Sequence, residues 1–404
     1  MRRIVFLLAA AAAFLSCAKI PLIDTMPRWY SPGPRSRGGG YAADRDSSAR
    51  NTPAGKGVYI AALRFPEWAS WRDGDFRGAE AVLFRDSVEI AHCAMGARPD
   101  PDRIHIIDGH LWTDVAGEGQ TQVFCDGKHR LTIPDEELLK GFLIKNDTIL
   151  TLGQRPGGRG LCYRVNGREV FSSGAGTVFG HFERDTSGTH FSYGISIRKG
   201  DAVTTEYHIM NGADEIATIT PNKGGVIYDI CVRDGTVYRS ERRGESPSSL
   251  CLVIGDSYHS MDVSDGEDIL LCRLIDYEGE TMMKGSSMFG TLLRHWIRYK
   301  GGIRHQVIST QGVPDIYADA GKLAHLITNR DGRVMMAAIG EETISAQEDS
   351  LYLRIRSSSC ADFRGGTFAA ALSDTSGRKH RLLLNGRLVP LEFNGYFTSL
   401  KINQ

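Results

Sequence analysis

Residues 163–170 read YRVNGREV, in which an apolar strand ends at an Asn-Gly turn and resumes as a half-apolar strand. Asn-Gly favours a two-residue type I′ hairpin, because both turn positions need a positive φ. Related hairpins start at residues 83, 123, 208, 252, 297, 337 and 382, so the eight copies are spaced by 40 to 45 residues. A hairpin that recurs with this period predicts an all-β repeat fold, the β-propeller.

Each repeat divides into four strands, which we name a to d from the centre of the ring outward. In the second repeat they are RIHIID (103–108), GHLWTDVA (109–116), TQVFCDG (121–127) and KHRLTI (128–133). The recurring hairpin joins strands c and d. Eight repeats predict eight four-stranded blades. The fourth, sixth and seventh repeats are less regular, so a ring of seven blades is the alternative.

The two ends of the repeat region complement each other. The first repeat begins at strand b, GVYIAAL (57–63), with no strand a before it. One strand, YFTSLKI (396–402), is left over after the eighth repeat. We expect this C-terminal strand to complete the N-terminal blade, because an open ring would expose an unpaired sheet edge. Residues 57–404 are thus predicted to form a single β-propeller domain.

The N-terminal segment indicates export. Residues 1–17 read MRRIVFLLAAAAAFLSC, with two arginines, an apolar stretch too short to span a bilayer, and a terminal cysteine. This arrangement resembles the lipobox of bacterial lipoproteins, and the resemblance implies a signal peptide with acylation at Cys17. Phe14 stands where that family usually has Leu, and a plain secretory signal is the alternative. Residues 18–56 are rich in Pro, Gly, Ser and charge, which predicts a flexible tether.

Signal and repeat together resemble the uncharacterised β-propeller lipoproteins of the Gram-negative cell envelope. The resemblance implies a location at the outer membrane or cell surface, with the periplasmic side also open. It implies that the lipid anchor makes the only membrane contact. The resemblance covers fold and location, and it transfers no activity.

Composition and motifs exclude several classes of function. Basic and acidic residues both number 48, so the net charge is zero and no basic field indicates a nucleic-acid partner. The chain has no GxSxG elbow, HExxH helix or CxxC pair. We therefore assign no catalytic residue, metal or cofactor. The cysteines after Cys17 recur within apolar strands, which favours small buried core residues.

The loops between strands b and c carry the candidate binding residues. In a propeller these loops project from one face of the ring, and the guanidinium fork of arginine suits carboxylate and phosphate groups. The longest such loop, residues 64–80, also carries aromatic rings that suit sugars and protein partners. The alternatives are that the arginines serve solubility and that the rings fold back onto the first blade or channel. The predicted ligand-binding residues are Trp68, Trp71, Arg72, Arg155, Arg159, Arg242, Arg243, Arg330, Arg333 and Arg378.

The first functional hypothesis is a lipid-anchored cell-envelope propeller that binds a glycan or an acidic protein surface without transforming it. The alternative is a propeller-fold glycan hydrolase or lyase. That enzyme would need paired acids, a Tyr/His set or a metal at the axial mouth. A third role, scaffolding, would require a broad apolar surface patch.

Overall fold

Eight antiparallel sheets follow one another around a ring in the computed structural model. The structure describes residues 55–404 except 68–75, 97–98, 159, 200–201, 245–248, 262, 264–266, 278, 301, 310–312, 320, 330–331, 345–352 and 375–377. The eight blades confirm the predicted β-propeller and decide against seven. The described residues contain no helix with the length and hydropathy of a membrane span.

The first four blades use the first fifteen strands, with four strands each in blades 2 to 4. In chain order they are β1 (Gly57–Arg64), β2 (Glu80–Arg85), β3 (Val88–Ala94), β4 (Ile104–Ile107), β5 (His110–Gly117), β6 (Gln120–Cys125), β7 (Lys128–Ile133), β8 (Leu138–Lys145), β9 (Thr148–Gln154), β10 (Leu161–Val165), β11 (Arg168–Ser173), β12 (Thr177–Arg184), β13 (Thr189–Lys199), β14 (Ala202–Asn211) and β15 (Asp214–Ile219).

Blades 5 to 7 again have four strands each, and β28 and β29 both pair with β30 in blade 8. These strands are β16 (Val226–Arg233), β17 (Thr236–Arg242), β18 (Leu250–Ile254), β19 (Ser257–Ser260), β20 (Glu267–Tyr277), β21 (Glu280–Phe289), β22 (Leu292–Tyr299), β23 (Gly302–Ser309), β24 (Val313–Asp319), β25 (Lys322–Thr328), β26 (Val334–Ile339), β27 (Glu342–Ile344), β28 (Arg354–Ile355), β29 (Ala361–Arg364), β30 (Thr367–Ser373), β31 (His380–Leu384), β32 (Arg387–Leu391) and β33 (Gly395–Asn403). Short 3₁₀ helices lie at Pro101–Arg103, Pro156–Gly158 and Ser358–Cys360.

The C-terminal strand closes the ring. Strand β33 pairs antiparallel with β1, from Gly57 opposite Asn403 to Arg64 opposite Gly395. It is the innermost strand of blade 1, whose order is β3-β2-β1-β33. The predicted closure is therefore confirmed, since the N-terminal blade is completed from the other end of the chain.

The c–d turn explains why Asn and Asp recur at its first position. In blade 3 the Asn166 N–H donates to the Ile149 carbonyl, and Asn166 Oδ1 accepts from the Ile149 N–H, both at 2.8 Å. The turn residue thus satisfies both backbone groups of one residue of strand b. In blades 2, 3 and 8 the turn has glycine second and positive φ at both positions, as in Gly167 (φ 78°). In blades 4, 5 and 7 only the first residue has positive φ, the type II′ pattern. Those first residues are Gly212, Gly255 and Gly340.

Aspartates on innermost strands tie neighbouring blades together. Asp229 on β16 accepts from the next N–H, that of Ile230, at 3.0 Å, and from the Leu274 N–H of blade 6 at 2.9 Å. Asp362 on β29 likewise accepts from the Ile402 N–H of the closing strand at 2.9 Å. Buried carboxylates need such donors, because an unpaired buried charge is costly. No motif in the sequence marks these aspartates, because their partners lie on a neighbouring blade.

The described cysteines are small buried core residues, as their placement in apolar strands indicated. None forms a disulfide, and burial raises the pKa of several of these thiols, that of Cys272 to about 12. Thiols with so high a pKa are protonated at neutral pH and are therefore weak nucleophiles. The described cysteines are Cys93, Cys125, Cys162, Cys231, Cys251, Cys272 and Cys360.

Candidate functional site

The common strand order of the blades gives the ring two distinct faces. The b–c loops and the d–a connections lie at one face, which we call the b–c face, and the a–b and c–d turns lie at the other, the c–d face. Arg155 follows β9 and Arg243 follows β17, while Arg333 and Arg378 precede β26 and β31. The topology thus places these arginines at the b–c face of blades 3, 5, 7 and 8. Their role in binding remains a prediction.

Five predicted residues lie outside the part of the chain that the structure describes. Within the described part of the 64–80 loop, Phe65 is buried, and its ring centroid lies 5.9 Å from those of Phe76 and Tyr396. Arg64 pairs with Glu80 at 2.6 Å. The described rings therefore pack back onto blade 1, one of the alternatives that the sequence left open. The residues outside the description are Trp68, Trp71, Arg72, Arg159 and Arg330.

On blade 3 the predicted arginine belongs to a partly buried ion network. Arg155 Nη2 lies 3.2 Å from Glu169 Oε2 and 3.8 Å from Asp135 Oδ2. The neighbouring Arg164, with a side chain only 3% exposed, contacts Glu137 Oε1 at 2.8 Å and Asp135 Oδ2 at 2.6 Å. Two guanidinium groups thus face three carboxylates. We call these five residues the blade-3 network, and its charge does not favour an anionic ligand.

On blade 5 the predicted arginines line a recess. It holds about 360 Å³, part of it open to solvent, beside the connection between blades 4 and 5. We call it the blade-5 recess. Its walls are Ile219, Thr220, Pro221, Asn222, Val226, Ile227, Arg239, Glu241, Arg242, Arg243 and Tyr258.

Two of the three arginines in the walls of the blade-5 recess contact its one carboxylate and its one tyrosine. Arg239 Nε donates to Glu241 Oε2 at 2.7 Å, and Arg243 Nε lies 3.5 Å from Glu241 Oε1. Arg243 stacks over the Tyr258 ring, 4.1 Å from its centroid, and Arg239 Nη2 donates to the Tyr258 hydroxyl at 3.3 Å. Arg242 Nε is buried and has no hydrogen-bond partner among the described residues. The recess therefore carries an excess of two positive charges and keeps unused donors.

The sequence indicated only part of this site. Arg242 and Arg243 were predicted, whereas Arg239, Glu241 and Tyr258 were not. Arg239 and Glu241 are two apart on β17, so they share one face of the strand. Arg239 lies opposite Val253, which lies opposite Tyr258, so this row crosses three strands. The period of two within strands, read across three paired strands, is the signal that would have found them.

Arg333 and Arg378 show main-chain contacts that shape their loops. The Arg333 N–H donates to Asn329 Oδ1, and the Arg378 N–H donates to Asp374 Oδ1, each at 2.9 Å. Asn and Asp side chains commonly stabilise loops by accepting bonds from nearby backbone N–H groups. These contacts fix the loop backbone and leave the predicted binding role of the two side chains untested.

A Ser–His–Asp group in blade 4 lacks the geometry of a catalytic relay. His190 Nε2 lies 3.0 Å from Ser187 Oγ and 3.1 Å from Asp185 Oδ1. A relay needs the serine and the aspartate on opposite ring nitrogens, and here both contact the same one. His190 is also buried. The group therefore stabilises a turn and gives no support to the enzyme alternative.

A His–Asp pair on innermost strands is likewise structural. His181 Nε2 lies 2.9 Å from Asp229 Oδ2, the oxygen that also accepts from the Leu274 N–H. Burial acts against protonation of His181, but the Asp229 contact outweighs it and raises the pKa of His181. Both oxygens of Asp229 accept hydrogen bonds from backbone N–H groups, so this carboxylate has a structural role in joining two blades of the ring.

Comparisons with known proteins give likenesses of fold. The chain matches no protein-family model and no curated protein. The solved dihydro-heme d1 dehydrogenase NirN in complex with DHE is 10% identical, over 90% of this chain and 77% of its own, with a TM-score of 0.48. A eukaryotic initiation factor is 9% identical over 86% of this chain and 99% of its own (TM-score 0.44). Hsv2 of Kluyvelomyces marxianus is 12% identical over 68% and 88% (TM-score 0.37). These likenesses carry no information on ligand or activity.

Proposed function

We propose that this propeller is a binding module whose b–c face takes an anionic polysaccharide, with the blade-5 recess as its anchoring point. The observation that carries the proposal is an open recess whose walls contain three arginines and a single carboxylate, which pairs with two of the arginines. Arginine forks bind carboxylate and sulfate groups bidentately, and charge complementarity favours an acidic partner.

The environment of the arginines supports this proposal. Arg239 and Arg243 are held in place by Glu241 and by the Tyr258 ring, so little side-chain entropy remains to be lost on binding. Arg242 adds a third guanidinium group to the walls of the recess. A neutral ligand would leave the excess positive charge uncompensated.

The test is calorimetric binding of the purified protein to polygalacturonate, with neutral dextran of similar length as the control. We expect binding to polygalacturonate only, and we expect it to weaken as salt is raised, because exposed charges are screened. Equal binding to dextran, or none to polygalacturonate at low salt, would contradict the proposal. Binding to an acidic protein but not to the polysaccharide would keep the recess and change the ligand class.

The glycan hydrolase or lyase alternative has its own readout. An enzyme would release new reducing ends from polygalacturonate over time, whereas a binding module leaves the chain length unchanged. Of the acid–histidine groups in the described part of the chain, the two most suggestive are committed to structure. We therefore expect unchanged chain length in the presence of saturating protein.

We further propose that Cys17 carries a lipid that anchors the propeller at the outer membrane or cell surface. The proposal rests on the sequence of residues 1–17, in which a short apolar stretch ends at this cysteine. Changing Cys17→Ser should move the protein from the membrane fraction to the soluble fraction. Unchanged membrane retention, with no lipid found by mass spectrometry on the wild-type protein, would reject the anchor.

A further inference from the structure

The c–d turn of blade 2, on the face opposite the recess, brings three metal-binding side chains together. They are His110 at the start of β5, Cys125 at the end of β6 and Asp126 in the turn. The ligand atoms of these side chains all lie within 4.8 Å of one another, and His110 Nδ1 is 2.6 Å from Asp126 Oδ2. No metal-ligand spacing in the sequence predicts this group, because it forms across two paired strands.

Other blades build the same turn without any of these three groups. In blades 3 and 8 an asparagine replaces Asp126 and accepts the same strand-b N–H bond at 2.8 Å. Threonine stands at the position of His110, and an aliphatic residue stands at the position of Cys125. The fold therefore does not require the histidine, the thiol or the negative charge. The equivalent residues are Thr148, Val165 and Asn166 in blade 3, and Thr367, Leu384 and Asn385 in blade 8.

The three groups suit a borderline-soft divalent cation. Imidazole nitrogen, thiolate sulfur and carboxylate oxygen are the ligands that Zn²⁺ takes in proteins. Asp126 Oδ1 accepts from the Leu111 N–H at 2.8 Å, which fixes the carboxylate and directs Oδ2 toward His110. Bonds of this kind, made by a ligand to the surrounding protein, orient metal-binding side chains. His110 and Asp126 are 19% and 33% exposed, so a cation can enter from solvent.

We propose that His110, Cys125 and Asp126 form a binding site for Zn²⁺ or a chemically similar divalent cation. Three protein ligands leave the fourth tetrahedral position to water or to an external ligand. On binding, the cation takes the place of the His110–Asp126 hydrogen bond. The Cys125 thiol gives its proton to the solvent and coordinates as thiolate, so that binding one cation releases that proton.

The site is tested with Co²⁺ as a spectroscopic probe, added to the reduced full-length protein. We expect a sulfur-to-cobalt charge-transfer band that saturates at one Co²⁺ per chain and disappears when Zn²⁺ is added. Absence of the band at millimolar Co²⁺ would overturn the proposal. A band that persists after Cys125→Val would also overturn it, because the thiolate would then lie elsewhere.

The other blades supply substitutions that should preserve the fold. His110→Thr and Asp126→Asn introduce the residues that blades 3 and 8 carry, and the asparagine keeps the bond to the Leu111 N–H. Each should weaken cation affinity by at least about tenfold. The control is Cys251→Ser, which changes another buried thiol and should leave the band intact. If both blade-2 variants bind Co²⁺ like the wild type, with unchanged circular dichroism, the proposal is wrong.

Discussion

The blade-3 network and the blade-5 recess occupy equivalent ends of two blades and use arginine in opposite ways. In blade 3, Arg155 and Arg164 face three carboxylates, and Glu137 is fully buried beneath them. In blade 5, two arginines, Arg239 and Arg243, share Glu241, and Arg243 is 44% exposed. Counting arginines in b–c loops treats the two alike, but their surroundings separate them.

The difference shows that the number of neighbouring carboxylates decides whether an arginine at the b–c face stabilises the fold or is available to a ligand. The connection between blades 2 and 3 brings Asp135 and Glu137 to the Arg164 guanidinium. The connection between blades 4 and 5 brings Thr220, Pro221 and Asn222 to the recess and no acid. A buried pair is costly to break, whereas an exposed arginine contributes little to stability. We therefore assign blade 3 to structure and blade 5 to binding.

The largest expected effect comes from opening the ring, because the blade-3 network and the blade-5 recess both depend on a folded propeller. Deleting residues 394–404 removes β33 and with it the buried side chains of Phe397, Leu400 and Ile402. Each such side chain contributes about 1.5–3 kcal/mol, and the β1 edge would be left unpaired. We expect the protein to unfold or aggregate, measured by circular dichroism and light scattering. A monomeric truncated protein with near-normal thermal stability would show that closure is dispensable. The blade-3 network and the blade-5 recess would then each depend only on their own blade.

The next-largest effect distinguishes the blade-3 network from the blade-5 recess by their contributions to the free energy of unfolding. Arg164→Gln should lower the free energy of unfolding by about 3–5 kcal/mol, because it leaves Glu137 buried without its cation. The matched change in blade 5, Arg243→Gln, should cost no more than about 1 kcal/mol, since that side chain is partly exposed. Urea denaturation measures both. Equal losses of unfolding free energy would contradict the assignment of the blade-3 network to structure and of the blade-5 recess to binding.

The sequence predicted the fold well because its decisive signals are local. A turn such as Asn166–Gly167 depends on two residues whose φ values L side chains seldom adopt, and it recurs at a fixed spacing. Ring closure followed from the missing strand a of the first repeat and the one strand left over after the eighth. These features need no knowledge of which blades touch which side chains.

The candidate sites were only partly predictable, because they depend on contacts between strands and blades. Arg155 and Arg243 look equivalent in sequence, and only the position of Asp135 and Glu137 distinguishes them. Tyr258 reaches the recess through the register of three paired strands, and the composition of the b–c loops holds no sign of that register. His110 and Cys125 meet because Cys125 pairs with Trp112, two residues beyond His110.

Substitutions should affect ligand affinity more in the blade-5 recess than in the blade-3 network, the reverse of their effect on the free energy of unfolding. Arg243→Gln should weaken polygalacturonate binding about tenfold, the effect expected when a charge-assisted pair worth about 1.4 kcal/mol is lost. Arg155→Gln should leave the affinity within about twofold, because its charge is already compensated by Glu169 and Asp135. Titration calorimetry at low salt measures both, with Arg387→Gln on the c–d face as the control. A larger loss for Arg155 than for Arg243 would reverse the assignment.

The smallest expected effect tests whether the blade-3 network is held by charge. The Ser172 hydrogen bond, followed by that from Cys162 and the charges of Arg164 and Arg155, outweighs burial and lowers the pKa of Glu169 below its usual 4.5. The folded state therefore binds fewer protons than the unfolded state as pH falls through this region, so the contribution of Glu169 is present above pH 4.5 and lost below it. Because this side chain is 41% exposed, Glu169→Gln should cost less than about 1 kcal/mol at neutral pH. The cost should shrink toward zero as denaturation is repeated at progressively lower pH. A cost that stays constant down to acid pH would mean that Glu169 acts through packing or neutral hydrogen bonds, and the charge-based contrast between blades 3 and 5 would then fail.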